Sequence, residues 1–306
     1  MTNDLTSAPV GVIGLGSMGM GIARALLDAS LDVVGFDISA EACRYFAAAG
    51  GRVGNSPADV ARECDVVLIV VINARQVEGA LFNAGGVVET LHKGGLVVQC
   101  ATVAPSFARV LGERLAEAGL GLLDAPISGG STKARNGQLT VMASGNQTCF
   151  EQAASILDAM AEKVYRLGNE PGIGSSVKLV NQHLAGVHIA AAAEAVALGI
   201  RMGLDPEILY EVITHSAGNS WMFENRVPHI LKGDYTPFSA VDIFVKDLGI
   251  VHATGSELTL PLPIASSALQ QFTAASDAGH GREDDSAVIK VYEHLAGLKL
   301  PPKNKD

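Results

Sequence analysis

The sequence predicts a two-domain α/β protein: an N-terminal doubly wound parallel sheet over residues 1–168, then an all-helical C-terminal domain over residues 169–306. Three observations carry this. The chain has 306 residues, more than one core usually serves. Up to about residue 168, short apolar runs alternate with amphipathic ones, the pattern of strands alternating with helices. After GNEPGIG (168–174) the strand signal fades and helical periodicity takes over.

The elements follow in order. VGVIG (10–14) reads as a strand and residues 17–29 as a helix. LDVVGF (31–36) is a second strand, and residues 39–49 a helix closed by Gly50-Gly51. VVLIVVI (66–72) and LVVQCA (96–101) are solidly apolar and β-branched, as central strands buried on both faces must be. GLLDA (121–125), LTVMAS (139–144) and KVYRL (163–167) are further strands. Residues 175–202 form one long, alanine-rich helix that Gly203 can end, and Asp205-Pro206 supplies the N-cap and first position of the next helix. Residues 205–298 continue as helices with polar turns. The long helix is apolar enough to raise a membrane span, but Lys178, His183, His188, Glu194 and Arg201 interrupt it.

Composition narrows the function. Hydrophobic residues make up 48% and charged residues 18%, as in a soluble globular protein with a substantial core. A formal net charge of -10 weighs against nucleic-acid and anionic-membrane partners, which need basic surface. The first nine residues carry no basic cluster and no apolar run, so no secretory signal is expected. Cys43, Cys64, Cys100 and Cys149 form no C-x-x-C pair, which fits a reduced, cytoplasmic chain. No histidine or cysteine pair has metal-ligand spacing; His183 and His188 share a helix face poorly, and no metal is expected.

The chemistry begins at GVIGLGSMGMG (11–21). Gly14, Gly16 and Gly19 make G-x-G-x-x-G, with Leu15, Ser17 and Met18 between them. The pattern alone is weak. Its setting is specific, because a strand enters it, a helix leaves it, and Asp37 ends the next strand. Gly14 permits the tight turn, Gly16 lets a pyrophosphate approach the backbone, and Gly19 lets the helix pack on the strand. The helix N-terminus offers N–H groups and a positive dipole end to phosphates. Asp37 accepts bonds from ribose hydroxyls and repels a 2′-phosphate, and neither Ile38 nor Ser39 offers a cation, so NAD is favoured over NADP. This is the Rossmann arrangement. Gly21 is additional and suits close packing.

In such a sheet, ligands gather beyond the strand C-termini. Asn73, Thr102 and Ser128-Gly129-Gly130 fall there. The serine hydroxyl and successive glycine N–H groups suit a carboxylate, though the same stretch also reads as a plain turn. Lys178 enters the long helix after Gly172 and Gly174, with Gln182 one turn on. On a buried face this lysine is a proton donor or acceptor; on an exposed one it is a solvated first-turn lysine. Lys246, within VDIFVKDL, reads by itself as a solvated helix position. GREDDSA (281–287) reads as a solvated acidic helix start with Asp or Ser as its cap.

Together these residues resemble the β-hydroxyacid dehydrogenase family, which includes 3-hydroxyisobutyrate dehydrogenase and tartronate semialdehyde (2-hydroxy-3-oxopropionate) reductase. The resemblance runs over about residues 10 to 298. GLGSMG (14–19) resembles the family's dinucleotide loop. ATVAP (101–105) resembles its S-T-x-x-P segment, which implies that Thr102 approaches the nicotinamide. DAPISGG (124–130) resembles its substrate loop, implying that Ser128, Gly129 and Gly130 hold the carboxylate. GIGSSVKLVNQ (172–182) resembles the G-x-G-x-x-x-K-x-x-x-N helix, implying Lys178 as the catalytic lysine. FSAVDIFVKDL (238–248) resembles the closing segment, implying that Lys246 reaches the cofactor.

Two positions depart from the family pattern. Ala101 stands where serine is frequent. Gln182 stands at the usual asparagine, with Asn181 one place earlier, and its longer amide alters the reach to a substrate hydroxyl. VVINARQV (70–77), HSAGNSWMFENR (215–226), DYTPFSAVDIFVKDL (234–248) and GREDDSAVIK (281–290) resemble the branch acting on four-carbon sugar acids such as L-threonate. In GNSW, Asn219, Ser220 and Trp221 are candidates for the sugar-acid hydroxyls. The resemblance implies NAD-dependent oxidation of a small hydroxy acid in a homodimer or homotetramer, at an active site closing between the two domains. The alternative from another class is a non-catalytic NAD-binding sensor. A sensor needs neither a proton-transfer lysine nor a carboxylate loop.

Overall fold

The computed structural model describes residues 8–301. The expectation about a secretory signal rests largely on residues 1–7, which lie outside that range.

Six parallel strands form the main sheet: β1 (Val10–Ile13), β2 (Val33–Phe36), β3 (Arg52–Val53), β4 (Val66–Ile69), β5 (Leu96–Gln99) and β6 (Gly121–Asp124). Their spatial order is β3-β2-β1-β4-β5-β6, so the winding reverses between β1 and β4. Side chains of successive strand residues point to opposite faces. Val12, Leu68 and Val98 accordingly enter one core with Ile22 and Leu26 of the helix Ser17–Asp28. Ile13, Val67, Ile69 and Val97 enter a second core with Val77 and Leu81 of the helix Ala74–Phe82 and Leu111 and Leu115 of the helix Pro105–Glu117. Helices on both faces are why these strands are apolar throughout. The two-residue β3 has no run of its own in the sequence; both residues are exposed, and pairing with β2 makes it a strand.

The last strands do not widen this sheet. β7 (Ile127–Ser128), β8 (Leu139–Ala143) and β9 (Ala161–Arg166) form a separate three-stranded sheet in the order β7-β8-β9. A backbone bridge between Asp124 and Ser144 links the end of β6 to the end of β8. Gly21 lies against the short helix Gly130–Arg135: a Cβ there would stand 2.8 Å from the Ala134 Cβ and 3.0 Å from the Arg135 nitrogen.

The long helix runs Ile173–Arg201. It ends in a Schellman-like turn, with Gly203 at φ +81° and the Leu204 N–H bonded to the Gly199 carbonyl. Asp205 then caps the helix Pro206–Thr214 by accepting from the Glu207 and Ile208 N–H groups. The chain divides at Lys178–Leu179, inside the long helix, into two compact units. Three further helices, Trp221–Lys232, Val241–Glu257 and Pro263–Ala275, share a core in the second unit that contains Ile189, Val196, Phe223, Phe244 and Phe272. The long helix passes the length and hydropathy test for a membrane span, but 50% of its most apolar window is buried inside the protein.

One expectation is corrected here. GREDDSA is not a solvated helix start: Asp284, Asp285 and Ser286 are buried. Asp284 does cap, accepting from the Ser286 N–H, and it also accepts from the Phe238 N–H. Asp285 pairs with the Arg226 guanidinium. Local polarity signalled solvent, whereas a cation and N–H groups distant in sequence allow these carboxylates to be buried.

Candidate active site

At the glycine loop, backbone geometry separates the three motif positions. Gly14 has φ +96°, and a Cβ on it would lie 2.3 Å from the Val70 carbonyl oxygen. A Cβ on Gly19 would lie 1.9 Å from the Gly14 oxygen. A Cβ on Gly16 would meet nothing within 4 Å, and Gly16 is exposed. The fold therefore demands glycine at 14 and 19, while at 16 the bare backbone faces open space. No side chain caps the helix Ser17–Asp28, and its first turn has no acid, so the loop suits an anion.

Asp37 is tied to this loop. Its Oδ2 accepts the Leu15 N–H at 2.7 Å and its Oδ1 accepts the Ser39 N–H at 2.8 Å. A carboxylate has about four acceptor sites, so two remain for a ligand's hydroxyls. A cleft of ≈ 430 Å³ opens over the loop, lined by Leu15, Gly16, Ser17, Arg24, Ser39 and Tyr45, among others. This cradle fits the adenosine and pyrophosphate portion of a dinucleotide. Arg24 is a cation that the reading of residues 38 and 39 missed. Its signal is helical spacing: Ser17, Met20 and Arg24 share one face.

Asn73 follows β4 and caps the helix Ala74–Phe82, accepting from the Gln76 N–H at 2.9 Å, while Gln76 accepts from the Ile72 N–H. Thr102, half-buried, follows β5. Ser128 ends β7, and Gly129 and Gly130 follow with φ +137° and +76°. A Cβ on Gly130 would meet nothing within 4 Å, so this turn is open to a ligand.

The lysine helix starts against backbone. Gly172 has φ +98°, and a Cβ on Gly174 would lie 2.4 Å from the Met142 oxygen and 2.6 Å from the Asp124 oxygen. Gly174 lets the first turn sit directly on the ends of β6 and β8, while a Cβ on Gly172 would lie 2.9 Å from the Pro105 oxygen of the helix Pro105–Glu117. Lys178 is 7% exposed, which removes the solvated alternative. The same segment, 124–130, thus touches the start of the lysine helix at one end and forms the Ser128–Gly130 turn at the other.

In the second unit, Gln182 and Lys246 converge on Asp247. Gln182 Nε2 donates to Asp247 Oδ2 at 2.5 Å, and Lys246 Nζ lies 2.6 Å from Asp247 Oδ1. Asp247 is 1% exposed, so Lys246 is an ion-paired residue and not a solvated one. Asp247 was missed because adjacent helix positions do not ordinarily face one another. Asn181 Nδ2 donates to Gln182 Oε1 at 3.0 Å, which engages both ends of the Gln182 amide. Asn219 and Ser220 bond within their own turn: Ser220 caps the helix Trp221–Lys232, and Asn219 donates to the Thr214 carbonyl and Glu224. Trp221 is exposed. Among the described residues, no group of three or more His, Cys, Asp or Glu is arranged to hold a metal ion.

Residues 9–168 match a family model described as the NAD binding domain of 6-phosphogluconate dehydrogenase. Residues 172–292 match one described as NAD-binding of NADP-dependent 3-hydroxyisobutyrate dehydrogenase. The chain belongs to the 3-hydroxyisobutyrate dehydrogenase family. The dehydrogenase is 57% identical to an L-threonate dehydrogenase of Cupriavidus necator, over 97% of this chain and 99% of that one. It is 52% identical to an L-threonate dehydrogenase of Escherichia coli K12, over 95% and 96%. A solved Salmonella typhimurium structure described as 3-hydroxyisobutyrate dehydrogenase superposes with a TM-score of 0.88 at 50% identity, covering 93% of this chain and 100% of that one. The dehydrogenase is an NAD-dependent oxidoreductase with the Rossmann sheet and helical C-terminal region expected from its sequence.

Proposed function

We propose that the dehydrogenase oxidises L-threonate at C2 to 2-dehydro-L-erythronate. The observation that carries the chemistry is Lys178, buried at the start of a helix seated on the segment that leads to the Ser128–Gly130 turn. Two relatives at 57% and 52% identity that bear the L-threonate name support the substrate. Gln182 in place of the family's asparagine supports a substrate other than plain hydroxyisobutyrate.

NAD, when bound, supplies the hydride acceptor. Gly14–Gly19 and Asp37 hold it, assisted by Asn73, Thr102 and Lys246. The Ser128 hydroxyl and the Gly129 and Gly130 N–H groups hold the substrate carboxylate. Lys178, as the neutral amine, takes the hydroxyl proton while the hydrogen on the same carbon leaves as hydride, so the carbinol becomes a carbonyl. Gln182 orients the hydroxyl or the lysine, and Asn219, Ser220 and Trp221 meet the distal hydroxyls. The enzyme works in the cytoplasm as a homodimer or homotetramer. Exposed Val180, Leu184 and Leu198 on the long helix support an assembly, which light scattering measures.

A panel of L-threonate, erythronate, glycerate, 3-hydroxyisobutyrate and 3-hydroxypropionate with NAD⁺, read as NADH absorbance, tests this reading. L-threonate should give the highest kcat/KM. A higher value with 3-hydroxyisobutyrate, the activity named for the solved Salmonella relative, replaces the substrate; no NADH from any acid favours the sensor. Lys178→Ala should lower turnover by about 10²- to 10⁴-fold, the usual contribution of general base catalysis, with NAD binding retained. Substantial turnover in that variant removes the lysine from its role.

A further inference from the structure

Asp124 opens the DAPISGG segment and has no part in the mechanism above. Its side chain is fully buried. It faces the N-terminus of the long helix. Asp124 Oδ2 accepts the Gly172 N–H and the Ser175 N–H, both at 2.9 Å, and Oδ1 accepts the Ser175 hydroxyl at 2.7 Å. Ser144, bridged to Asp124 through the backbone, accepts the Gly174 N–H at 2.9 Å.

A helix N-terminus leaves its first N–H groups without intrahelical partners, and ordinarily a side chain one residue upstream satisfies them. Here that place is held by Gly172, which has no side chain. The cap comes instead from a strand end 48 residues earlier in sequence. Burial pushes the Asp124 carboxyl above the usual carboxylate range, and the Ser175 and Gly172 bonds oppose that. A local serine or asparagine would cap the helix without burying a charge. What a local cap would not do is hold the helix start in register with β6.

We propose that Asp124 is a positioning residue for the dehydrogenase reaction: its carboxylate holds the turn preceding Lys178 in register with the segment that forms the Ser128–Gly130 turn. It acts on the amine through Ser175, three positions before Lys178, and on the carboxylate turn through the four residues 125–128. This rests on the roles proposed above for Lys178 and Ser128–Gly130.

The test is Asp124→Ala, with kcat expressed per NAD-binding site. Alanine removes both acceptor oxygens and leaves the Gly172 and Ser175 N–H groups without their cap, so nothing holds the helix start in register with β6. A misplacement near 1 Å costs roughly 10²-fold in rate. The expected result is a fall in kcat per site of about tenfold or more, with the Kd for NAD within about twofold of wild type. A purely structural role lowers the number of NAD-binding sites and leaves kcat per site unchanged, and that outcome overturns the proposal. If Asp124→Ala binds no NAD, Ser175→Ala stands in: it keeps the backbone cap and removes only the hydroxyl bond. Its kcat per site should fall several-fold, and an unchanged value overturns the proposal. Lys178→Ala, measured in parallel, separates the two failures. If Lys178→Ala stays active, the reading of the site is wrong; if it is inactive while Asp124→Ala keeps its kcat, only the positioning role is wrong.

Discussion

Gly16→Ala and Gly19→Ala, three residues apart in one motif, should fail in opposite ways. At Gly19 the new Cβ would stand 1.9 Å from the Gly14 oxygen. Close carbon–oxygen contacts are about 3.3 Å, so strand exit and helix must part by about 1.4 Å. Overpacking against rigid backbone costs about 1–3 kcal/mol or more, which is a fall in Tm of roughly 2–12 °C for a unit of this size. At Gly16 the backbone has φ -65° and ψ -172°, extended geometry that any residue adopts, and the Cβ meets nothing within 4 Å. The free protein should be unharmed, or more stable by about 0.4–1 kcal/mol through a less flexible unfolded chain. Its cost should fall on NAD, because the methyl group occupies the space over the loop. A loss of about tenfold in affinity, about 1.4 kcal/mol, is expected. Thermal melts with and without NAD, and fluorescence titration, measure both quantities. Unchanged NAD affinity in Gly16→Ala would show that the pyrophosphate does not cross this glycine, and the cofactor placement would fail.

Three further substitutions test other parts of the structure. Asp37→Ser removes the carboxylate that repels a 2′-phosphate, so the NAD/NADP ratio of kcat/KM should fall by about tenfold or more; an unchanged ratio would refute the ribose assignment. Gly174→Ala places a Cβ 2.4 Å from the Met142 oxygen and 2.6 Å from the Asp124 oxygen, which displaces the lysine helix. Its kcat should fall roughly 10²-fold with NAD binding intact, and a kcat within threefold of wild type would mean that the first turn is not held so closely. Arg226→Met leaves Asp285 buried without its partner and should cost about 3–5 kcal/mol in urea melts at pH 8. Burial already pushes the Asp285 carboxyl up to about 6, with Arg226 opposing. A raised carboxyl favours the protonated folded form, so its contribution is intact at low pH and is lost as pH rises through the folded value. The penalty of Arg226→Met should therefore be smaller at pH 5 than at pH 8, and equal penalties would contradict the assignment.

Local signals made most of the architecture legible. β1, β4 and β5 are apolar because both their faces are covered, and that needs no knowledge of partners. The glycine loop and Asp37 were legible for the same reason: the turn, the exposed backbone and the carboxylate lie within one β-α-β unit. Arg24 escaped because only the side of a helix places it over the loop. LTVMAS and KVYRL read correctly as strands, but a strand pattern does not say which sheet it joins; the turn after Asp124 sends them into a separate one. The charged residues were the least legible. GREDDSA and Lys246 have the polarity of solvated helix, and the structure buries or pairs them against Arg226 and Asp247.

By itself, then, the sequence determined most of the element order, the glycine loop between β1 and its helix, and the presence of a lysine at the start of a long helix, because each depends on neighbours close in the chain. Tertiary structure alone decided that this lysine is buried, that its helix is capped by Asp124 and Ser144 rather than by its own chain, and that Gln182 and Lys246 meet at one buried carboxylate. Burial and charge pairing are set by groups far apart in the chain. A carboxylate reads the same in sequence whether water, an N–H group or a guanidinium satisfies it, and only the folded contacts choose among them.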